Sequence, residues 1–494
     1  METLSILETY FANFRVHIIG NEQTFESPYG PKKILYADWT ASGRAYQPIE
    51  AYLQRQILPF VANTHTGSTI TGSLMSQAYQ EAKATIKQHV NAGSDDVLIF
   101  CGGGMTAAVN KLQRILGLRV PERLKDYLEK GSLCLQVKEH LRPVVFVTHM
   151  EHHSNHISWL ETIATVEIIG SDSCGNVDLD YFSALLQRYR HRTHKIAAVT
   201  ACSNVTGIET PYHEIASIIH RHGGLCFVDF ACSAPYVRMD MHPEEKSTRL
   251  DAIYFSTHKF LGGPGTPGVL IFNSNLYSNQ VPDHPGGGTI AYSNPWKEHT
   301  YIAGIEERED GGTPPFLQGI KAALCIRLKE SMGTRNMRMR EKELLVILFN
   351  RFEKIKNAKI LEGSVTDRLG VVSFVIRGAH FNLVVKLLND RFGIQTRGGC
   401  SCAGTYGHYL LNVSKSDSHG ILEDILCGNL QGKPGWVRLS IHPTMTDDEM
   451  NLIMDAIGQV AANHTKWGMN YHYCPANNEF ILNAKAAVAH YKHG

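Results

Sequence analysis

With 494 residues, 43% of them hydrophobic and 19% charged, the chain is long enough for at least two domains and has the composition of an ordinary globular protein. Its formal net charge of +1 excludes the strongly basic balance that nucleic acid or an anionic membrane surface selects, and no apolar run approaches the roughly 18 residues of a membrane span. A small molecule is therefore the expected partner, with no nucleic acid and no membrane.

From the N-terminus, METLSILETYFANF carries Glu2 and Glu8 and lacks the apolar core of a signal peptide. The 11 cysteines are sparse and irregularly spaced, as in a reducing compartment, so a cytoplasmic enzyme is expected. From about residue 95 to 273 short apolar runs alternate with helix-patterned segments. The runs are VLIF (97–100), VVFV (144–147), VEII (166–169), KIAAVT (195–200), LCFVDF (225–230), AIYFS (252–256) and GVLIF (268–272). This alternation predicts an α/β fold with a mostly parallel sheet covered by helices on both faces, with ligands beyond the carboxyl ends of the strands.

From about residue 313 the pattern changes. GVVSFVI (370–376) and WVRLSI (436–441) read as strands, FNLVVKLLNDRFG as an amphipathic helix closed by Gly393, and Thr446 with Glu449 as the capping box of a last helix. A smaller α+β domain is expected over 313–494, after an N-terminal segment and large domain over 1–312. The stretches 120–143 and 414–434 fit neither unit and read as surface insertions.

The polar residues after the strands carry the chemistry. CGGGMTAAVN follows the first run, and a glycine turn opening a helix points backbone N–H groups at a phosphate, although such turns also serve packing alone. It lacks the Lys-Ser/Thr pair of a nucleotide-triphosphate loop and the spacing of a dinucleotide fingerprint. THMEHHSNHISW follows the second, with His149, His152, His153 and His156. The i, i+4 pair His152/His156 has zinc-helix spacing without the His-Glu-x-x-His order, and the bland alternative is capping and packing. Asp229 ends a run that should be buried, where an acid needs a cation or several donors. Lys259 follows the strand at 252–256. A lysine and a buried carboxylate at the mouth of one sheet, with an anion site nearby, suit a cofactor bearing an aldehyde, a ring nitrogen and a phosphate, which is pyridoxal phosphate.

In chain order YADWTASG, NTHTGS, CGGGMTAAVN, MEHHSNHISW, ACSNVTG, FVDFACSAP, STHKFLGGPGTPGVL, DGGTP, RLGVVSF, TRGGCSCAG and WVRLS resemble the class V branch of fold-type I pyridoxal-phosphate enzymes, the cysteine desulfurase and selenocysteine lyase group. The resemblance implies a seven-stranded, mostly parallel sheet in a large cofactor-binding domain and a small domain carrying the loop with Arg397 and Cys402. It implies that Lys259 binds the cofactor aldehyde, that Asp229 pairs with the ring nitrogen, and that His152 stacks on the ring and moves protons. Asn204 would lie close to the ring, and Gly104, Met105, Thr106, Ser256 and His258 would hold the phosphate. His65 and Thr289 would be lent across a homodimer interface. Cys232 stands where many relatives have a glutamine on the cofactor's phenolic oxygen, and a thiol is a poor replacement for an amide donor.

TRGGCSCAG (396–404) leaves a Cys-x-Cys metal corner, a strained disulfide and a reactive thiol open on its residues alone. By resemblance Arg397 forks onto a substrate carboxylate and Cys402 accepts sulfur, while Cys400 has no family role. If the loop is extended, Cys400 and Cys402 point to the same side. The implied reaction is cysteine desulfuration of L-cysteine to L-alanine, with a persulfide passed to a sulfur-acceptor protein. Other class V chemistry (C–S lysis, selenocysteine cleavage, epimerisation, transamination) and an inactive scaffold homologue are the alternatives, the last favoured only by Cys232.

Overall fold

The computed structural model describes residues 5–64, 66–124 and 137–483. Contacts group the chain into two units, one of Ser42–Cys202 with Thr210–Thr334 and one of Met1–Ala41, Ser203–Glu209 and Arg335–Gly494.

The first unit is built on a seven-stranded sheet of β1 (Asp96–Cys101), β2 (Val144–Thr148), β3 (Thr165–Ile169), β4 (Lys195–Thr200), β5 (Leu225–Asp229), β6 (Ala252–Ser256) and β7 (Gly268–Asn273), which are the seven apolar runs of the sequence. Their order is β1-β7-β6-β5-β4-β2-β3. Neighbours from β6 through β3 are parallel, and β7 runs antiparallel to both β6 and β1. The runs are continuous rather than alternating because both faces are covered. On one face Val97, Ile99, Val145, Val147, Phe227 and Leu270 share a core with α1 (Met105–Ile115) and with Trp159 of α2 (His153–Leu160), whose ring stacks 6.4 Å from Phe227. On the other, Phe146 meets Phe182 edge-on at 5.5 Å and Phe100 meets Tyr79 at 5.7 Å. Each such buried side chain contributes about 1.5–3 kcal/mol over exposure. The sheet thereby becomes a rigid platform whose carboxyl edge collects Thr148, Thr200, Asp229 and Ser256 as strand termini.

The second unit holds a four-stranded antiparallel sheet, β8 (Ala358–Ile360), β9 (Val371–Ile376), β10 (Arg397–Gly399) and β11 (Trp436–Ser440), in the order β8-β9-β11-β10. α3 (Phe381–Phe392) ends at Gly393 in the left-handed conformation, where a Cβ would meet the Lys33 carbonyl at 2.1 Å. α4 (Asp447–Gly468) starts with the full Thr446/Glu449 capping box. Residues 203–209 pack into this unit because Ser373 Oγ donates to the Val205 carbonyl (2.6 Å) and Arg368 Nη1 to that of Thr206 (2.8 Å).

In the stretch 414–434 a helix, Lys415–Leu426, buries none of its residues and exposes Leu422 and Leu426. Of the stretch 120–143, residues 125–136 lie outside the described residues. Among the described residues no helix is long and apolar enough to cross a membrane.

Candidate functional site

The parallel-sheet unit holds a cradle and a charge pair. β1 leads through Gly102 and Gly103 to Gly104, the residue before α1, at φ 118° with no side chain capping the helix. A Cβ on Gly104 would lie 2.9 Å from both His258 Cε1 and Ser256 Oγ, so only glycine lets the β6 terminus close on the helix start. There the Met105 N–H donates to Ser256 Oγ at 2.8 Å, and Thr106 Oγ1 lies 2.6 Å from Ser154 Oγ on α2. Burial, then the neighbouring Lys259 charge, lowers the His258 imidazole to about 4, so it enters neutral solution as an uncharged hydrogen-bonding ring. Backbone N–H groups, hydroxyls and a neutral imidazole converge here, a donor set suited to a phosphate.

On the strand next to β6, Asp229 ends β5 opposite Tyr254 and is 2% exposed. Burial raises its carboxyl to about 6 against the pull of the Ala231 N–H (2.8 Å) and of the Lys259 charge. Lys259 closes the turn Thr257–Lys259 directly after β6. The lysine is thus near enough to act electrostatically on a buried acid that a cation would hold ionised.

Behind Asp229 lies a network that sequence reasoning missed. Glu151 is fully buried and accepts from the Thr148 N–H and hydroxyl, the Thr200 N–H and the Asn155 amide. Burial still raises its carboxyl to about 8, and the Asp229 charge adds to the rise. Asn155 Oδ1 in turn accepts from Tyr254 Oη (2.6 Å) and Trp159 Nε1 (3.3 Å). The sequence signal is an acid three residues after a buried strand, in a stretch otherwise rich in histidine.

His152 caps α2, with its Nδ1 accepting the Ser154 N–H at 3.1 Å, so in the neutral ring Nε2 carries the proton. That geometry removes Nδ1 from the zinc pair imagined with His156, itself buried on α2. Among the described residues no group of three or more His, Cys, Asp or Glu could hold a metal ion. Cys232 is buried three residues after Asp229. Thr289 is buried with its hydroxyl donating to the Gly286 carbonyl (2.7 Å). His65 lies outside the described residues.

The antiparallel-sheet unit holds two arginines and two thiols of its own. Arg397 on β10 stands opposite Arg438 on β11, the former exposed, the latter buried. Asp38 lies between their charges, 2.6 Å from Arg438 Nη2 and 4.0 Å from Arg397 Nη1. Arg438 Nη1 also donates to the Asn204 carbonyl at 3.2 Å, and its buried Nε has no partner. Arg438 was missed, although an arginine inside the apolar WVRLS was its signal.

Beyond β10 the expectation of an extended loop fails. Ser401 (φ 51°) and Cys402 (φ 57°) are both left-handed, and the Ala403 N–H donates to the Cys400 carbonyl at 2.9 Å. The chain therefore reverses in a tight turn of mirror-image sense, normally built from glycine or asparagine. The side-chain amide of Asn204 holds the Ser401 carbonyl, and Cys402 stands exposed at the turn with its thiol free, as is that of half-buried Cys400. No disulfide joins the two cysteines in this structure.

A model of the aminotransferase class-V family matches residues 132–453. A probable cysteine desulfurase of Staphylococcus aureus is 28% identical over 389 residues, 78% of this chain and 86% of the relative, and one of Staphylococcus epidermidis is 28% identical over 390 residues, 78% and 87%. Among solved structures, the apo cysteine desulfurase of Thermococcus onnurineus superposes with a TM-score of 0.71 at 22% identity, over 94% of this chain and all of that one. The fold is thus that of the fold-type I pyridoxal-phosphate-dependent transferases.

Proposed function

The chain belongs to the class V aminotransferase family, and from that premise we propose that it is a pyridoxal-phosphate-dependent cysteine desulfurase. In this reading it takes sulfur from L-cysteine, releases L-alanine and carries the sulfur as a persulfide on Cys402. It works as a cytoplasmic homodimer, with a sulfur-accepting protein as its second partner.

The residues present fit the cofactor. The Gly104 position, which a Cβ would fill, sits against Ser256 and His258 as a phosphate cradle with Met105 and Thr106, and buried Asp229 offers a carboxylate of the kind a ring N–H requires. When bound, pyridoxal phosphate supplies an electron sink for the pair left behind when the substrate Cα proton departs. Lys259 Nζ would hold the cofactor through its aldehyde and, when its amine is free, would take the substrate Cα proton. The Asp229 carboxylate would hold a proton on the ring nitrogen. His152, with Nδ1 committed to the Ser154 N–H, can only donate through Nε2 while neutral, which fixes the direction in which it hands on a proton. Asn204 and Thr289, with His65 in the dimer, complete the surroundings of cofactor and substrate, and Cys232 takes the place of an amide donor. The substrate carboxylate lands on the exposed guanidinium of Arg397.

The observation that carries desulfuration over the other class V reactions is Cys402, an exposed thiol raised on a left-handed turn two residues wide. As thiolate it attacks the substrate sulfur, the C–S bond breaks, and the carbon left behind is protonated to alanine. Borohydride reduction of the loaded enzyme should fix the cofactor to the peptide containing Lys259, and L-cysteine should yield alanine. Attachment to another lysine contradicts the cofactor assignment; pyruvate with ammonia contradicts desulfuration in favour of lyase chemistry.

A further inference from the structure

Cys400 is the thiol of TRGGCSCAG that the proposed reaction leaves without a task. In an extended chain two such residues would lie about 6.6 Å apart at Cα, near the upper limit of the roughly 4.4–6.8 Å that a disulfide spans. The observed turn changes this. With Ser401 and Cys402 both left-handed and the Cys400 carbonyl closed onto the Ala403 N–H, the backbone between the cysteines is helical in pitch, which brings their Cα atoms to about 5.5 Å. Asn204 holds the carbonyl of the intervening Ser401 at 2.8 Å, so the compact form is clamped from outside the loop. Both thiols are free, and neither is fully buried.

The geometry points to Cys400 as a resolving nucleophile for sulfur carried on Cys402, an inference that rests on the desulfurase reading for the source of that sulfur. The Cys400 thiolate attacks Sγ of Cys402, a Cys400–Cys402 disulfide bond forms, and the bond from Cys402 Sγ to the outer sulfur breaks. The outer sulfur leaves as hydrosulfide with the bonding electron pair, a better leaving group than an alkyl thiolate. The transferred sulfur is thereby reduced and the two cysteines are oxidised together by two electrons. A dithiol reductant must then reopen the disulfide by exchange before Cys402 can accept sulfur again. The enzyme thus has two outlets: handing sulfur to an acceptor that arrives first, or releasing hydrosulfide and stopping until it is reduced.

The test loads holoenzyme with sulfur in two arms, L-cysteine without reductant and inorganic polysulfide without L-cysteine. Each is followed by acid quench, alkylation and mass analysis of the peptide spanning 397–410. In both arms the wild-type peptide should lack two hydrogens relative to the dithiol form, with one hydrosulfide released per disulfide. Cys400→Ser should instead retain one extra sulfur on Cys402, about tenfold or more above the wild type, until a dithiol is added. A wild type that keeps the extra sulfur on Cys402, sulfur found on Cys400 alone, or a Cys400→Ser protein that takes up no sulfur from polysulfide overturns the inference. Absence of alanine in the L-cysteine arm contradicts the desulfurase reading instead, since the polysulfide arm judges the Cys400 step by itself.

Discussion

The side-chain amide of Asn204 donates to the carbonyl oxygen of Ser401 at 2.8 Å, tying residues 203–209 to the turn that presents Cys402. Two non-glycine residues at positive φ cost on the order of 1–2 kcal/mol each, and one buried hydrogen bond offsets about 1 kcal/mol of that. Asn204→Ala should therefore loosen the turn, speeding exchange of the Ala403 amide about five- to tenfold. Adding Ser401→Gly should slow it again, because glycine adopts φ near 51° without penalty. Exchange rates unchanged in Asn204→Ala would mean that the turn is held by something else.

Gly104→Ala should weaken cofactor binding about tenfold or more while leaving the sheet folded. The added Cβ meets Ser256 and His258 at 2.9 Å and must sit at a φ of 118°. Titration of apoprotein with pyridoxal phosphate by visible absorbance, beside far-UV circular dichroism, measures both. Wild-type affinity in this variant would remove Gly104, Ser256 and His258 from the phosphate site.

Burial raises the Glu151 carboxyl from 4.5 to about 8, so between these values the native state holds a proton that the unfolded chain has released. Stability therefore falls as pH rises through that window, by up to roughly 1.4 kcal/mol per pH unit from this group. Glu151→Gln cannot titrate, and its new NH₂ group competes with the donors already facing Glu151. The variant should be less stable than wild type in mild acid, and the gap should narrow as pH climbs towards 8. Chemical denaturation of both proteins across that range reads the gap directly. A gap that widens with pH would mean that Glu151 is folded as a carboxylate.

For Asp229 burial dominates, and the carboxyl stands at about 6. Below that pH it is neutral and cannot pair with a protonated ring nitrogen, so cofactor uptake by apoprotein should weaken as pH falls through about 6. Asp229→Asn should lose that inflection and roughly a hundredfold or more in turnover. The comparison with Asn isolates Asp229 from the cofactor's own titration. Near-normal turnover in the Asn variant would refute the role.

Strands of the large sheet are covered by packing on both faces and so leave nearly unbroken apolar runs, which is why all seven were legible. The Gly393 stop and the Thr446/Glu449 start were legible because caps are local. What escaped depends on distance or on backbone sign. Asp38 and Arg438 are 400 positions apart, and no local pattern joins them. Glu151 and Asn155 read as two more polar residues among histidines. The turn at 400–403 was misread because serine and cysteine give no sign of a positive φ, and that reading set the two thiols side by side on a strand instead of around a bend.

The central claim is that Cys402 takes the sulfur, and single-turnover alanine release from Cys402→Ser tests it most directly. Lys259, Asp229 and the phosphate cradle are untouched by this change, so the variant should load pyridoxal phosphate and respond spectrally to L-cysteine as the wild type does. It should nevertheless release almost no alanine, whereas the wild type releases about one per subunit before any acceptor is added. Alanine formed by Cys402→Ser at the wild-type rate would contradict the account.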